Sequence, residues 1–226
     1  IKKTAGQHGK LVIPAFAIGR VEELLYWVRR LEAEHRIPVL PVYVDSPMAT
    51  EALKYYSARV AELDPELRPT SGQVYAFATT RFQTVSSPQQ SKELTASRRP
   101  AIVISSSGMA TGGRVLHHLA AALPDQRNTV LFVGYQAEGT RGRQLVDGAR
   151  DVRIHGHSIA VNAAKKITTG RTWKTRMKPI DPVSPGLAAS GPKRNSEPLF
   201  DALSRTRAAL FSQIKSRWET GRRKMI

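Results

Sequence analysis

Cysteine is absent from the chain. That excludes a disulfide framework and any thiolate metal site, and it suits the cytoplasm. No apolar stretch approaches the roughly 18 to 20 residues needed to cross a bilayer. The N-terminus has neither the apolar core of a signal peptide nor an initiator methionine, so the chain reads as a soluble fragment. Acidic residues are scarce, with 18 Asp and Glu against 35 Lys and Arg and a formal net charge of +17. Histidine is missing from everything after His157.

What is present supports a globular unit of ordinary size. The chain has 226 residues, 41% of them hydrophobic, enough to bury a sizeable core. The charge is unevenly spread: residues 1–164 carry 20 basic and 14 acidic side chains, residues 165–226 carry 15 and 4. The second stretch is also broken by Pro179, Pro182, Pro185, Pro192 and Pro198. A boundary is therefore placed near Ala164. The chain then divides into a main domain over 1–150, a returning hairpin over 151–164 and a basic tail over 165–226.

The first 164 residues alternate between strand-like and helix-like patterns. Leu11 to Pro14 is a short apolar run, and VEELLYWVRRLEAEH (21–35) places Val21, Leu24, Leu25, Val28 and Leu31 at helical spacing. VLPVYV (39–44) reads as the next strand, and Ser46-Pro47 opens a helix from about Ala49 to Leu63. AIVIS (101–105) leads to a helix from Gly113 to Leu123, and TVLFVG (129–134) to a short helix around Arg143 to Val146. Four such βα units predict an α/β fold, a mainly parallel sheet flanked by helices with right-handed crossovers.

A parallel sheet gathers its strand-to-helix loops on one edge, where open α/β domains bind ligands. Here those loops read PAFAIGR (14–20), DSPMAT (45–50), SSSGMATGGR (105–114) and GYQAEGTRGR (134–143). They share Gly, Ser and Thr, three of them end in Arg, and Asp45 and Glu138 are their only acids. Arg20, Arg114, Arg141 and Arg143, with hydroxyls and backbone amides between them, suit a polyanion such as an RNA backbone. The same glycines also serve tight turns and close helix packing. Neither Gly-rich loop matches a P-loop or a dinucleotide fingerprint, which sets aside nucleoside triphosphates and NAD.

Histidine invites a metal reading. His155-Gly156-His157 puts two imidazoles at i, i+2, although Gly156 between the VRI and SIAV runs reads better as a hairpin corner. A makeshift metal site of Asp151, His155 and His157 is the weaker alternative. His117 and His118 are side by side on a helix, about 100° apart, so they do not share a site, and one is expected packed and the other solvated. No carboxylate pair has a spacing suited to acid/base work, and Ser105 to Ser107 have no evident base.

Taken in order, PAFAIGRVEELLYWV, YVDSPMA, SSSGMATGGRVLHHL and NTVLFVGYQAEGTRGRQLVDGARDVRIHG resemble the β-CASP branch of the metallo-β-lactamase superfamily. These are RNA-processing nucleases that include the pre-mRNA 3′-end endonuclease. The resemblance runs from about Gly9 to Asn162. It implies that the α/β unit is the β-CASP cap inserted in a metallo-β-lactamase fold, with VRIHGHSIAV returning the chain toward that fold. In such enzymes RNA runs between cap and catalytic domain, and two zinc ions activate water.

The departures are equally informative. The family's His-x-His-x-Asp-His run precedes the cap and is not in this sequence. Where a Ser-Ala-His-Ala-Asp-like stretch and then a His-Gly-Glu-like one are expected, Asn162-Ala163-Ala164 leads into KKITTGRTWKTRMKP. No catalytic or metal-binding position carries over, and no cofactor is assigned to this chain. What carries over is a substrate-side surface: Arg20, then Ser105, Ser106, Ser107, Gly108, Gly112, Gly113 and Arg114, then Gly139, Thr140, Arg141 and Arg143. The expected partners are RNA and the missing metallo-β-lactamase portion, with a homodimer left open.

The tail has two readings. LFDALSRTRAALFSQIKSRW (199–218) sets Leu199, Phe200, Leu203, Leu210, Phe211, Ile214 and Trp218 near one helical face, behind a basic, Pro-, Gly- and Ser-rich run, which suits a basic arm on RNA or an acidic membrane surface. The abrupt change after Ala164 also fits a shifted reading frame, and this second reading is favoured.

Overall fold

A computed structural model describes residues 1–59, 61, 75 and 77–167. All but residues 165–167 of the basic tail, including its expected helix over 199–218, lies outside the described residues, which fall in one unit, Ile1–Ile167. In chain order this unit has α1 (Lys2–Gly6), β1 (Lys10–Pro14), α2 (Arg20–Ala33), β2 (Val42–Asp45), α3 (Pro47–Ala58), β3 (Phe82–Thr84) and α4 (Pro88–Ala96). It continues with β4 (Ala101–Ser105), α5 (Val115–Ala122), β5 (Thr129–Phe132), α6 (Arg141–Val146), β6 (Asp151–Ile154), β7 (His157–Ala160) and β8 (Ala164–Ile167).

Six strands form one sheet in the order β3-β2-β4-β1-β5-β8, parallel throughout. The expected α/β class with a mainly parallel sheet is what the chain adopts. β1 and β4 are central and paired from Lys10↔Ala101 to Pro14↔Ser105. All five residues of each are buried, as strands covered on both faces must be. Val12, Val115, Leu119, Leu123, Val130, Phe132 and Leu145 make the core on the α5 side, and Val152 and Ile154 of the hairpin complete it.

The hairpin forms at the predicted corner. β6 and β7 pair antiparallel, and His155 and Gly156 between them have φ of 50° and 83°. Two successive positive φ angles are the signature of a type I′ turn, the two-residue connection that matches strand twist. β8 then returns to the main sheet beside β5, from Thr129↔Ala164 to Phe132↔Ile167.

Several boundaries move from their expected places. The strand read over 39–44 begins at Val42, because Pro41 has no N–H to donate and offers only its carbonyl, to Ile102. The helix read over 49–63 runs from Pro47 to Ala58, where Arg59 leaves helical angles (φ −124°, ψ 38°). The helix read to residue 35 stops at Ala33, and His35 turns left-handed at φ 51°. Four elements were not anticipated: α1, β3, α4 and β8.

The order of strands creates a switch point. The β1→β2 and β4→β5 connections run in opposite directions across the sheet, so right-handed crossovers put α2 and α5 on opposite faces. α4 packs with α5 on one of them. β4 and β1 are neighbours whose following loops lead to opposite faces, a topological switch point, the usual ligand position in open α/β sheets.

Candidate nucleic-acid interface

At the end of β2, beside this switch point, sits a buried charge network. Asp45 is fully buried, and its Oδ1 accepts from Arg114 Nη1 at 2.7 Å. Its Oδ2 accepts from Ser91 Oγ at 2.5 Å and lies 2.7 Å from His118 Nε2. His118 is buried, with Nδ1 3.1 Å from Thr95 Oγ1, while Thr95 Oγ1 donates to the Ser91 carbonyl at 2.8 Å. Burial pushes the Asp45 carboxyl up, but hydrogen bonds from His118, Ser91 and Arg114 outweigh it and hold the group below the ordinary carboxylate value.

This network ties β2 to α4, α5 and the loop after β4. Ser105 is fully buried and adds a bond from its Oγ to the Asp45 carbonyl at 2.7 Å. Composition and motif matching gave Asp45 no role, and its partners lie 46, 69 and 73 residues away. The available signal was an Asp closing an otherwise apolar strand, where an unpaired charge would be costly.

The loop from Ser105 to Arg114 closes on itself. Ser107 Oγ accepts from Thr111 N (3.1 Å) and Gly112 N (3.3 Å), and the Ser106 carbonyl accepts from Val115 N (3.3 Å). Leu116, His117 and His118 find their acceptors in the Gly113 and Arg114 carbonyls. The first-turn amides of α5 are thus bonded internally. Gly113 has φ +80°, and a Cβ there would stand 2.6 Å from the Ser106 carbonyl oxygen. Ser106 Oγ is buried and makes no hydrogen bond among the described residues.

The loop after β5 is clamped to this one. Gln136, buried, donates from Nε2 to the Gly108 carbonyl at 3.1 Å and to the Gly134 and Tyr135 carbonyls at 3.3 and 3.1 Å. Gly142 N donates to the Met109 carbonyl at 3.1 Å, and a Cβ on Gly142 would overlap the Gln136 side chain. Gly139 turns at φ +76°, and Thr140 caps α6 by accepting from Arg143 N at 3.2 Å.

The four arginines share the edge but not a chemistry. Arg20 pairs with Glu23 at 2.5 Å, Arg143 bonds both oxygens of Asp147 at 2.9 and 2.8 Å, and Arg114 holds Asp45. Arg141 contacts only carbonyls, those of Arg153 (2.6 Å), Thr111 (3.3 Å) and Ala110 (3.5 Å). Among the described residues no carboxylate neutralises it. Phe16, 51% exposed, and Tyr135, 68% exposed, stand on the same edge and were not singled out from the sequence.

The histidines behave as their spacing suggests. His118 is packed and His117 is exposed, stacked on His155 with ring centroids 4.5 Å apart and planes at 22°. Burial, then the charges of His155 and His118, lower the His117 pKa. Two imidazoles stacked face to face do not converge on a cation. No group of three or more His, Asp or Glu among the described residues is placed to hold a metal ion, so the residues present do not fit a two-zinc centre. A cavity of about 940 Å³ opens at the other end of the sheet, among His8, Lys10, Arg98, Arg127 and Asn128. Among the described residues no helix is long and apolar enough to cross a membrane.

The parallel sheet follows the pattern read from the sequence, and comparison with known proteins adds the family. The Beta-Casp domain matches residues 21–145. The chain belongs to the β-CASP family. It is 37% identical over 165 residues to ribonuclease TTHA0252 of Thermus thermophilus, covering 73% of this chain and 38% of that protein. Over 168 residues it is 34% identical to the transcription termination factor FttA of Methanosarcina mazei, covering 73% and 26%. An RNase J-like protein of Methanocaldococcus jannaschii is 30% identical over 162 residues, covering 71% and 36%. The chain thus spans about a quarter to two fifths of the length of these β-CASP relatives, whose family lies within the metallo-β-lactamase superfamily of nucleases.

Proposed function

We propose that the chain supplies the RNA-contacting cap of a zinc-dependent RNA-processing nuclease and does not cleave RNA by itself. The observation that carries this reading is the Beta-Casp match over 21–145, in a chain 37% identical to a ribonuclease. In this reading RNA lies at the switch point between the loops after β4 and β1. Its phosphates meet the Arg141 guanidinium, with Arg20 and Arg143 beside it, while Gly112 and Gly139 let the backbone approach closely and Gly108 and Gly113 admit the loop's own close packing. Arg114 positions the loop through Asp45, and Ser105 and Ser107 hold its shape. The two zinc ions belong with the metallo-β-lactamase portion, outside the described residues, and the cytoplasm is the compartment assigned.

A second reading has a specific observation behind it. Arg20, Arg114 and Arg143 already face carboxylates, which leaves less free charge for phosphate and suits a cap that docks a partner protein without contacting RNA. Titrating RNA into the full chain at several salt concentrations separates the two. The first reading requires affinity that falls steeply with salt, a slope reduced by about one phosphate contact in Arg141→Ala, and no cleavage with or without zinc. A stoichiometric protein partner together with no RNA affinity supports the second. Affinity that ignores Arg141→Ala but vanishes on deleting 168–226 moves RNA contact to the tail.

A further inference from the structure

The large hydrophobic side chains exposed among the described residues are Phe16, Val39, Tyr135 and Ile167. Val39 precedes β2 at the far end of the sheet, whereas Phe16 and Tyr135 follow β1 and β5, adjacent parallel strands at the loop edge. Adjacent strands are about 4.8 Å apart, so the two loops emerge side by side.

The Phe16 ring and the Tyr135 main chain are both tied to one residue. A Cβ at Gly108 would lie 3.0 Å from Phe16 N and 3.1 Å from Phe16 Cδ2, so the Phe16 ring lies against the bare backbone of Gly108. The Gly108 carbonyl accepts from Gln136 Nε2, which also bonds the Tyr135 carbonyl. Phe16 thus packs against the loop after β4 at the switch point, and the Tyr135 main chain is held to the same loop by the buried Gln136 amide.

Their surroundings are cationic and polar. Arg20, Arg141 and Arg143 end the loops that carry the two rings, and the remaining loop positions are mostly Gly, Ala, Thr and Gln. The core of a protein-docking surface is a contiguous apolar patch. Two isolated rings set among arginines match the other common use of exposed aromatics, in which bases stack while cations track the backbone.

We propose that Phe16 and Tyr135 form a stacking platform for bases of single-stranded RNA at the switch point, a site that rests on the RNA-contacting reading above. The platform holds unpaired bases without regard to their identity, because every base has a π-face. It excludes duplex RNA, whose bases are stacked on each other.

The test uses the full chain and two 12-nucleotide probes of equal charge, oligo-rU and an abasic ribose-phosphate oligomer, followed by fluorescence anisotropy. Tail arginines and lysines contact phosphates and act equally on both probes. The parent is expected to bind oligo-rU more tightly than the abasic probe. Phe16→Ala and Tyr135→Ala should each weaken oligo-rU about tenfold and leave abasic affinity and the salt slope unchanged. Tyr135→Phe should retain binding, and Phe16→Leu, which keeps apolar bulk and loses the π-face, should not. Equal affinity of the parent for both probes, or alanine variants that bind oligo-rU as the parent does, overturns the platform and leaves the RNA reading standing. Equal losses on both probes also overturn it. A parent that binds neither probe overturns the RNA reading and the platform with it.

Discussion

Replacing Asp45 with Asn tests whether the charge network holds the sheet edge together. The substitution keeps the shape but gives one side of the group an NH₂, which then faces the Arg114 guanidinium or the Ser91 hydroxyl, both of them donors. At least one donor loses its acceptor, and the Arg114 cation loses its counter-charge. Removing one partner of a buried pair costs about 3 to 5 kcal/mol. At about 2 to 4 °C per kcal/mol for a domain of this size, the melting temperature should fall by about 6 to 20 °C. Urea unfolding of the full chain followed by far-UV circular dichroism gives the free energy, and a cycle with Arg114→Met isolates the pair. Arg114→Met alone should cost about 1.5 to 3 kcal/mol, the range for a hydrogen bond to a charged group, and much less once Asp45 is Asn. A loss below about 1 kcal/mol for Asp45→Asn, within reach of an ordinary surface substitution, refutes the reasoning. So does an Arg114→Met effect of equal size in both backgrounds.

Other consequences follow from the same geometry. The Asp45 carboxyl is held below its ordinary value of 3.8, so between the folded and unfolded values the unfolded state binds more protons and stability falls with acid. Urea midpoints should drop as pH falls below about 4, and the part of that drop due to Asp45 should vanish in Asp45→Asn. Lys10 Nζ donates to the Leu94 and Thr95 carbonyls, and burial lowers its pKa from 10.5 to about 8. Between those values the unfolded state again binds more protons, so stability contributed at this position should rise with pH from about 8 to 10; a Lys10→Met chain with an unchanged rise counts against it. Gly142→Ala should cost about 1 to 3 kcal/mol by displacing Gln136, and it should weaken oligo-rU binding through Tyr135, which the same measurements on one sample would show.

The sequence disclosed those elements whose burial is written in one repeating pattern. β1 and β4 are runs of five buried residues, and α2 carries an apolar stripe, so both were legible. The hairpin was legible because Gly sits where a positive φ is needed. β3 has three residues and none fully buried, and it exists by pairing with β2. α4 buries only Ser91, so periodicity was silent. Its start was marked all the same: Ser87-Pro88 repeats the Ser46-Pro47 signal, with each Ser Oγ accepting from the amide three residues on. β8 begins among residues whose composition changes toward the tail, and its place is set by β5.

The candidate site was legible as a set of loops but not as a set of interactions. Pattern places Arg20, Arg114, Arg141 and Arg143 on one edge; in the fold Arg114 ends a loop there, and Arg20, Arg141 and Arg143 stand in the first turns of α2 and α6. Whether a guanidinium is available depends on acids that pattern does not connect to it: Glu23 and Asp147, one helical turn away, and Asp45, 69 residues earlier. Local acids temper Arg20 and Arg143 at the surface, where such pairs contribute little and open readily. The buried carboxylate is different, since releasing Arg114 to a phosphate would strip a fully desolvated anion of one of its partners. On the proposed RNA-contacting reading the edge therefore divides its arginines by cost: Arg141 is open to a polyanion, Arg20 and Arg143 would exchange a solvated carboxylate for it, and Arg114 stays where the fold needs it. That division ranks the salt slopes of the four alanine variants before any is measured. Arg141→Ala should show the largest decrease, Arg20→Ala and Arg143→Ala smaller ones, and Arg114→Ala a loss of stability with no separate phosphate contact to remove.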